Sequence, residues 1–162
     1  MQNPFNKSQL EFIDLITEIV KNAKALKDKY TEEKDAPVNY VCIFCQSEKE
    51  FDFLQKTALS LGDILDQTYS GPLILLHTPI KTVSGNVRII KIRKPDPQRP
   101  CRGDADFTVK NFEEFKKQVL DKKYFSLIKR PKFEMIELYV PGENVRVYFS
   151  NPTLEEIYLG EA

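Results

Sequence analysis

The segment from Arg88 to Val109, RIIKIRKPDPQRPCRGDADFTV, constrains the fold of this 162-residue chain more than any other. Strand-like runs flank a central break over residues 94–103, which hold three prolines. Three cations precede the break and two carboxylates follow it: Arg88, Lys91 and Arg93, then Asp104 and Asp106. Because proline lacks a backbone donor and does not continue a β-ladder, the sequence predicts a connector between two β-rich units here.

The same order of elements precedes and follows this connector. Strand propensity predicts strands at 38–46, 64–69, 73–78 and 86–93, then at 104–109, 124–129, 133–140 and 145–149. A helix follows the first strand of each set, with Ser47 and Glu50 at the start of one helix and Asn111 and Glu114 at the start of the other. A fixed offset relates the two helix starts, which indicates an internal duplication. The predicted fold is α+β, with βαβββ units at 38–94 and 104–150, a connector at 95–103 and a cupped mixed sheet.

Both ends of the chain add a helix to this pattern. Residues 1–37 comprise an amphipathic helix over 8–30, with Ser8 and Glu11 as a capping box, and a charged linker. Residues 151–162 contain a short terminal helix. The N-terminal helix either packs on the domain or serves as a dimerisation surface.

Composition excludes several classes of protein. With 24 basic and 24 acidic residues, the chain lacks the basic excess of nucleic-acid-binding proteins. No apolar run approaches the ~18 residues of a membrane span, and the N-terminus does not resemble a secretory signal, so a cytoplasmic location is predicted. The odd number of cysteines favours free thiols. Cys42 and Cys45 lie on a predicted strand, where positions three apart point to opposite faces, so CIFC does not predict a metal or redox site.

Two segments of the second unit carry a resemblance to a known family. DADFTVKNFEEFKKQV (104–119) resembles the strand-to-helix transition of the vicinal oxygen chelate superfamily, and VPGENVRVYFSNP (140–152) resembles its final turn and strand. This superfamily includes glyoxalases, extradiol dioxygenases and antibiotic-resistance proteins, and the resemblance covers about residues 38–150. It implies a cup between the units, with metal-binding positions at Tyr40, near Lys91, at Asp104 and at Val147. Only Asp104 suits a divalent metal, so neither a metal nor a cofactor is predicted.

Alternation along the strands predicts the residues that line the cup. It places the side chains of Tyr40, Cys42 and Phe44, of Ile89, Lys91 and Arg93, and of Asp104, Asp106 and Thr108 on the cup face. The predicted ligand-binding residues are Tyr40, Phe44, His77, Lys91, Arg93, Asp104 and Asp106. Two interpretations stay open, because the charges either pair in a structural ion network or hold a polar or anionic molecule. Arg99 and Arg102, with Arg88, form either a solvated cluster or a lid.

Three functions remain open on the sequence. The first is a metal-independent protein that binds a small polar or anionic molecule. The second is a metal-dependent lyase, isomerase or dioxygenase of the same superfamily, using His77, Asp104, Asp106 or Glu137. The third is a protein-interaction domain that uses the N-terminal helix. Nucleic acid and membrane are not predicted partners, whereas a homodimer is compatible with the sequence. The units could pair within one chain or between two.

Overall fold

The computed structural model describes residues 3–160 and confirms an α+β architecture with an N-terminal helix. Its elements follow in chain order: α1 (Lys7–Tyr30), β1 (Val38–Phe44), α2 (Glu48–Leu59), β2 (Gly62–Thr68), β3 (Gly71–Thr82), β4 (Gly85–Arg93), β5 (Gly103–Phe107), α3 (Phe112–Val119), β6 (Phe125–Lys129), β7 (Glu134–Leu138), β8 (Val145–Asn151) and α4 (Leu154–Leu159). The two predicted βαβββ sets are therefore present.

All eight strands in the described chain form one mixed sheet in the order β2-β3-β4-β1-β5-β8-β7-β6. Within each unit the first and last strands are parallel neighbours, β1 with β4 and β5 with β8. The units join through antiparallel pairing of β1 with β5, in which Val41 lies opposite Ala105. These two residues are related by the offset that relates Ser47 to Asn111, so an approximate two-fold axis passes between them. The units thus pair within one chain.

The starts of the helices are set by polar side chains that accept backbone hydrogen bonds. Ser47 accepts from the Glu50 N–H, and Asn111 accepts from the Glu114 N–H, as predicted. The predicted cap of α1 is wrong. Asn6 and Gln9 form its capping box, and the helix begins at Lys7. Both Asn6-x-x-Gln9 and Ser8-x-x-Glu11 fit the motif, and the earlier pair adds further backbone hydrogen bonds to the helix.

α1, α2 and α3 cover one face of the sheet and build the main core with it. Phe12, Ile16, Ile19, Val20, Ala23 and Leu26 of α1 are buried there with β-strand residues of both units. The predicted alternation of β5 is confirmed, because Ala105 and Phe107 lie in this core. The apolar stripe of α1 is therefore covered by its own chain. No helix within residues 3–160 combines the length and apolarity needed to cross a membrane.

Gly103 permits the close approach of β5 to β1 where the units join. A Cβ atom at this position would lie 2.3 Å from the Cys42 carbonyl oxygen, a contact that only a backbone shift relieves. We expect Gly103→Ala to lower the free energy of unfolding by about 3 kcal/mol or more in urea denaturation. Gly142→Ala is the control, since its Cβ meets nothing within 4 Å, although its φ of +90° still costs about 1–2 kcal/mol. If Gly103→Ala and Gly142→Ala lowered the free energy of unfolding equally, the junction of the units would tolerate a side chain at Gly103.

Candidate functional site

The other face of the sheet carries a cavity of about 230 Å³, here called the cup cavity. Strands of both units form its floor, while the connector, the β6–β7 turn and α4 supply its walls. Its lining is Tyr40, Cys42, Thr68, Leu73, Lys91, Arg93, Arg99, Asp104, Asp106, Ile128, Arg130, Phe133, Met135, Tyr148, Leu154 and Tyr158. Five of the seven predicted ligand-binding residues therefore lie on one cavity: Tyr40, Lys91, Arg93, Asp104 and Asp106.

Strand register fixes how the charged side chains are spaced across the floor. Cys42 pairs with Lys91 on one side and with Asp104 on the other. Lys91 and Asp104 are thus two strand spacings apart, about 10 Å between their Cα atoms, with the short Cys42 side chain between them. In the adjacent row Asp106 pairs with Tyr40 and Tyr148. A molecule lying over Cys42 would contact a cation at one end and a carboxylate at the other.

Asp106 is a carboxylate whose acceptors are occupied by the protein. Its Oδ1 accepts from Asn39 Nδ2 and from the Ser150 backbone N–H, each at 3.1 Å, and its Oδ2 accepts from Ser150 Oγ. Burial raises the pKa of Asp106 to about 6, while the hydrogen bonds from Ser150 and Asn39 act in the opposite direction. This network joins β5 to its neighbouring strands and makes Asp106 a structural part of the floor.

Asp104 is equally deep in the floor but has no such network. It is 6% exposed, and neither of its carboxylate oxygens accepts a hydrogen bond from residues 3–160. Burial and the nearby Asp106 raise the pKa of Asp104 to about 7, against the opposing charges of Arg99, Lys91 and Arg93. A buried acceptor without a donor costs about 1–3 kcal/mol, so Asp104 lowers the stability of the floor.

The cations on the cavity do not pair with the carboxylates of its floor. Arg93 lies 3.8 Å from Asp96 of the connector and donates to Ser70, and Arg99 lies 3.6 Å from the same Asp96. Lys91 forms no ion pair or hydrogen bond with the described residues, and burial lowers its pKa. Neither Lys91 nor Arg93 thus forms a direct ion pair with a floor carboxylate in the described chain, although both lie close enough to Asp104 to lower its pKa.

His77 and Phe44, the other two predicted residues, do not line the cup cavity. His77 lines a separate cavity of about 500 Å³ beside the N-terminal end of α1, and its Nε2 lies 3.0 Å from Asp63 Oδ2. Phe44 is on the cup side of the sheet but is 2% exposed, packed with Cys42 and Cys101. Its ring centroid lies 5.5 Å from the Arg99 guanidinium, so Phe44 forms a cation–π contact with a residue that lines the cavity.

The four positions that the sequence resemblance predicts as metal-binding, Tyr40, Lys91, Asp104 and Val147, carry side chains that do not together fit a divalent cation. Within residues 3–160, no group of three His, Cys, Asp or Glu side chains could hold a metal ion. Asp106 is occupied by hydrogen bonds, and His77 lies outside the cavity, so the alternative ligand set predicted from the sequence does not assemble. Val147, predicted to occupy one metal position, is buried in the core, and Tyr148 takes its place on the cup face.

Sequence reasoning missed Tyr148, Arg130 and the contribution of α4. Tyr148 is buried and donates a hydrogen bond to Glu137 Oε2. The alternation of Val145, Val147 and Phe149 in the core carried the signal for Tyr148. Arg130 is exposed on the β6–β7 turn, and α4 closes one wall with Leu154 and Tyr158.

The three arginines of the predicted cationic cluster have different positions. One lines the cup cavity, and the other two form ion pairs that hold helices in place. Arg99 lines the cavity. Arg102 instead holds the start of α2 through two 2.9 Å hydrogen bonds to Glu50. Arg88 binds Glu155 of α4 at 3.1 Å, which holds that helix against β4. Among these three arginines only Arg99 lines the cavity, and a lid role for it stays a prediction.

Comparison with known proteins finds a similar fold but no similar sequence. No family model and no curated protein matches the sequence. A solved structure described as a structural-genomics target, protein EC4020, superposes with a TM-score of 0.72 over 96% of this chain and 94% of its own, at 12% identity. Two βαβββ units joined through their first strands form the arrangement that the sequence resemblance implies. The fold therefore agrees with the paired βαβββ architecture that the sequence resemblance predicts.

A second solved structure is similar over a smaller part of the chain. It is a glyoxalase/bleomycin resistance protein/dioxygenase superfamily member from Vibrio splendidus 12B01, with a TM-score of 0.46 and 9% identity. It covers 71% of this chain and 97% of its own length. α1 lies before the first βαβββ unit of this chain.

Proposed function

We propose that the protein binds a small anionic molecule in the cup cavity, with Lys91 and Arg93 as its anchors. The observation that carries this proposal is Lys91, a half-buried ammonium without a partner among the described residues. Arg93 adds a buried Nε–H that likewise has no acceptor there. A charge-assisted hydrogen bond from either group to an anion would offset the cost of burying it.

The balance of charge on the lining also favours an anion. Four cations line the cavity, Lys91, Arg93, Arg99 and Arg130, against the two carboxylates Asp104 and Asp106. Arg130 is exposed on its turn and supplies positive potential at the rim, which raises the encounter rate of a negative ligand. A cavity of 230 Å³ is smaller than the roughly 300–1,000 Å³ typical of drug-sized ligands, which favours a small metabolite.

Lys91→Gln tests the proposal. We expect succinate, malate or inorganic phosphate to raise the melting temperature of the wild type, because a ligand that binds only the folded state stabilises it. In Lys91→Gln the affinity measured by calorimetry should fall about tenfold or more, since one charge-assisted hydrogen bond is worth about 1.5–3 kcal/mol. Arg93→Gln should weaken binding in the same direction.

Lys94→Gln is the matched control, because it removes the same charge from an exposed neighbour that does not line the cavity. Its affinity should stay within about twofold of wild type, since exposed charges contribute little. Equal losses in Lys91→Gln and Lys94→Gln would attribute binding to the net charge of the surface and contradict the proposed site. A cytoplasmic location and a homodimer remain predictions of the sequence, and sedimentation would test the latter.

A further inference from the structure

Asp104 is a buried acceptor on the cup cavity whose hydrogen bonding differs from that of Asp106. Asp104 and Asp106 stand two residues apart on β5 and on the same face, yet only Asp106 receives hydrogen bonds from the protein. Asn39 and Ser150 donate to Asp106 and not to Asp104. Asp104 is 6% exposed, and that remaining surface borders the cavity. The described chain therefore leaves a buried acceptor without a donor at the wall of a cavity that a ligand can enter.

The strand register sets the distance between this acceptor and the proposed anion anchor. Lys91 and Asp104 flank Cys42 in one row of the sheet, about 10 Å apart at their Cα atoms. The Cys42 thiol between them is buried. Both flanking side chains line the same cavity and extend toward it, so a molecule of a few carbon atoms over Cys42 spans the gap between their polar ends.

We infer that the ligand is a small hydroxycarboxylate, whose carboxylate binds Lys91 and Arg93 and whose hydroxyl donates to Asp104. This inference rests on the proposed function and specifies the class of its ligand. Sites built to hydrogen-bond a hydroxyl discriminate strongly against the analogue that lacks it, because the site's own polar group is then left unpaired. Asp104 thereby acts as a specificity-determining residue rather than as an anion anchor.

The donor is a hydroxyl and not an ammonium because of the charge already present on the lining. The four cations exceed the two carboxylates of the floor, and Arg99 and Arg93 both lie near Asp104. An ammonium would add a fifth positive charge to this low-dielectric site, whereas a hydroxyl satisfies Asp104 without one. Amino acids are therefore disfavoured relative to hydroxy acids of the same length.

Matched pairs of probes that differ by one hydroxyl test the inference. The two enantiomers of malate are compared with succinate, and the two enantiomers of 3-hydroxybutyrate with butyrate, by calorimetry on the full chain. In at least one pair, one enantiomer of the hydroxylated member should bind tenfold or more tighter. Aspartate, which carries an ammonium on the same skeleton, should bind more weakly than malate.

Two variants separate the anion anchor from the hydroxyl acceptor. Asp104→Leu, nearly isosteric but without an acceptor, should bring the ratio of affinities within a pair to about one. Lys91→Gln should weaken both members by a similar factor and keep the ratio. Asp104→Asn, which retains polarity at the position, serves as a second variant should Asp104→Leu fold poorly, and it should also reduce the ratio.

The outcomes distinguish the inference from the function on which it rests. If both members of every pair bind wild type equally, the hydroxyl requirement is overturned while the anion site stands. If aspartate binds more tightly than malate, the donor is an ammonium and the hydroxycarboxylate class is wrong. If the carboxylates and inorganic phosphate all fail to bind, both the proposed function and this inference are overturned.

Discussion

Deletion of residues 1–36 is expected to leave no cooperatively folded chain. α1 buries Phe12, Ile16, Ile19, Val20, Ala23 and Leu26 in the main core. It also contacts β3 of the first unit and β5 and β8 of the second, so it bridges the junction of the units. Removing it would expose an apolar layer of both units to water at a cost greater than the roughly 5–15 kcal/mol that holds a domain together.

Circular dichroism and urea denaturation of the truncated chain would measure this effect. Two single substitutions in α1 form the matched comparison, since Phe12 is fully buried and Glu18 is exposed. Phe12→Ala should lower the free energy of unfolding by about 3–5 kcal/mol, whereas Glu18→Ala should change it by no more than about 0.5 kcal/mol.

A truncated chain that unfolds cooperatively with near-native stability would reverse this view of α1. The helix would then be an accessory element, and a protein-interaction role for its apolar stripe would regain support. In the folded chain that stripe lies on the sheet, so an interaction function would require α1 to detach. The same experiment therefore bears on both stability and function.

Local sequence patterns predicted the elements because each strand has one face in the core. Alternation in residues 104–109 assigns Ala105 and Phe107 to the core and Asp104 and Asp106 to the cup, and the structure has them so. The ends of the strands and helices were predicted less accurately than their order. β3 runs through Thr82, beyond the predicted end at residue 78, because Ile80, Lys81 and Thr82 continue the pairing with β4 in a segment predicted partly as a loop.

The composition of the site was less predictable than the faces of the strands, because it depends on contacts between distant segments. The imidazole of His77 is a group suited to ligand binding, but its position on β3 places it at another cavity. Asp104 and Asp106 look equivalent in sequence, and only the positions of Asn39 and Ser150 distinguish them. Arg130 reaches the cavity through a turn whose geometry no local pattern specifies.

Asp104→Asn is expected to make the protein more stable than wild type at pH 8, with little change at pH 4. The folded-state pKa of Asp104 is raised to about 7 from an ordinary 3.8, by burial and by Asp106 against Arg99, Lys91 and Arg93. A raised folded pKa means that the folded state holds its proton more tightly than the unfolded state. The resulting stability is present below pH 4 and is lost as pH rises through about 7.

The size of the part due to Asp104 follows from its shift, because each pKa unit corresponds to about 1.4 kcal/mol, so that Asp104 accounts for a decrease of the order of 3–4 kcal/mol in wild type. Urea denaturation at pH 4 and pH 8 would measure it, with Asp104→Asn losing less because only Asp106, with a pKa of about 6, still titrates in the floor. Asp52→Asn, at an exposed position on α2, should follow the wild-type pH profile.

If Asp104→Asn also followed that profile, Asp104 would be ionised in the folded chain at ordinary cost. Its carboxylate would then need no ligand donor, which would remove the physical basis for a hydroxyl requirement at the cup cavity.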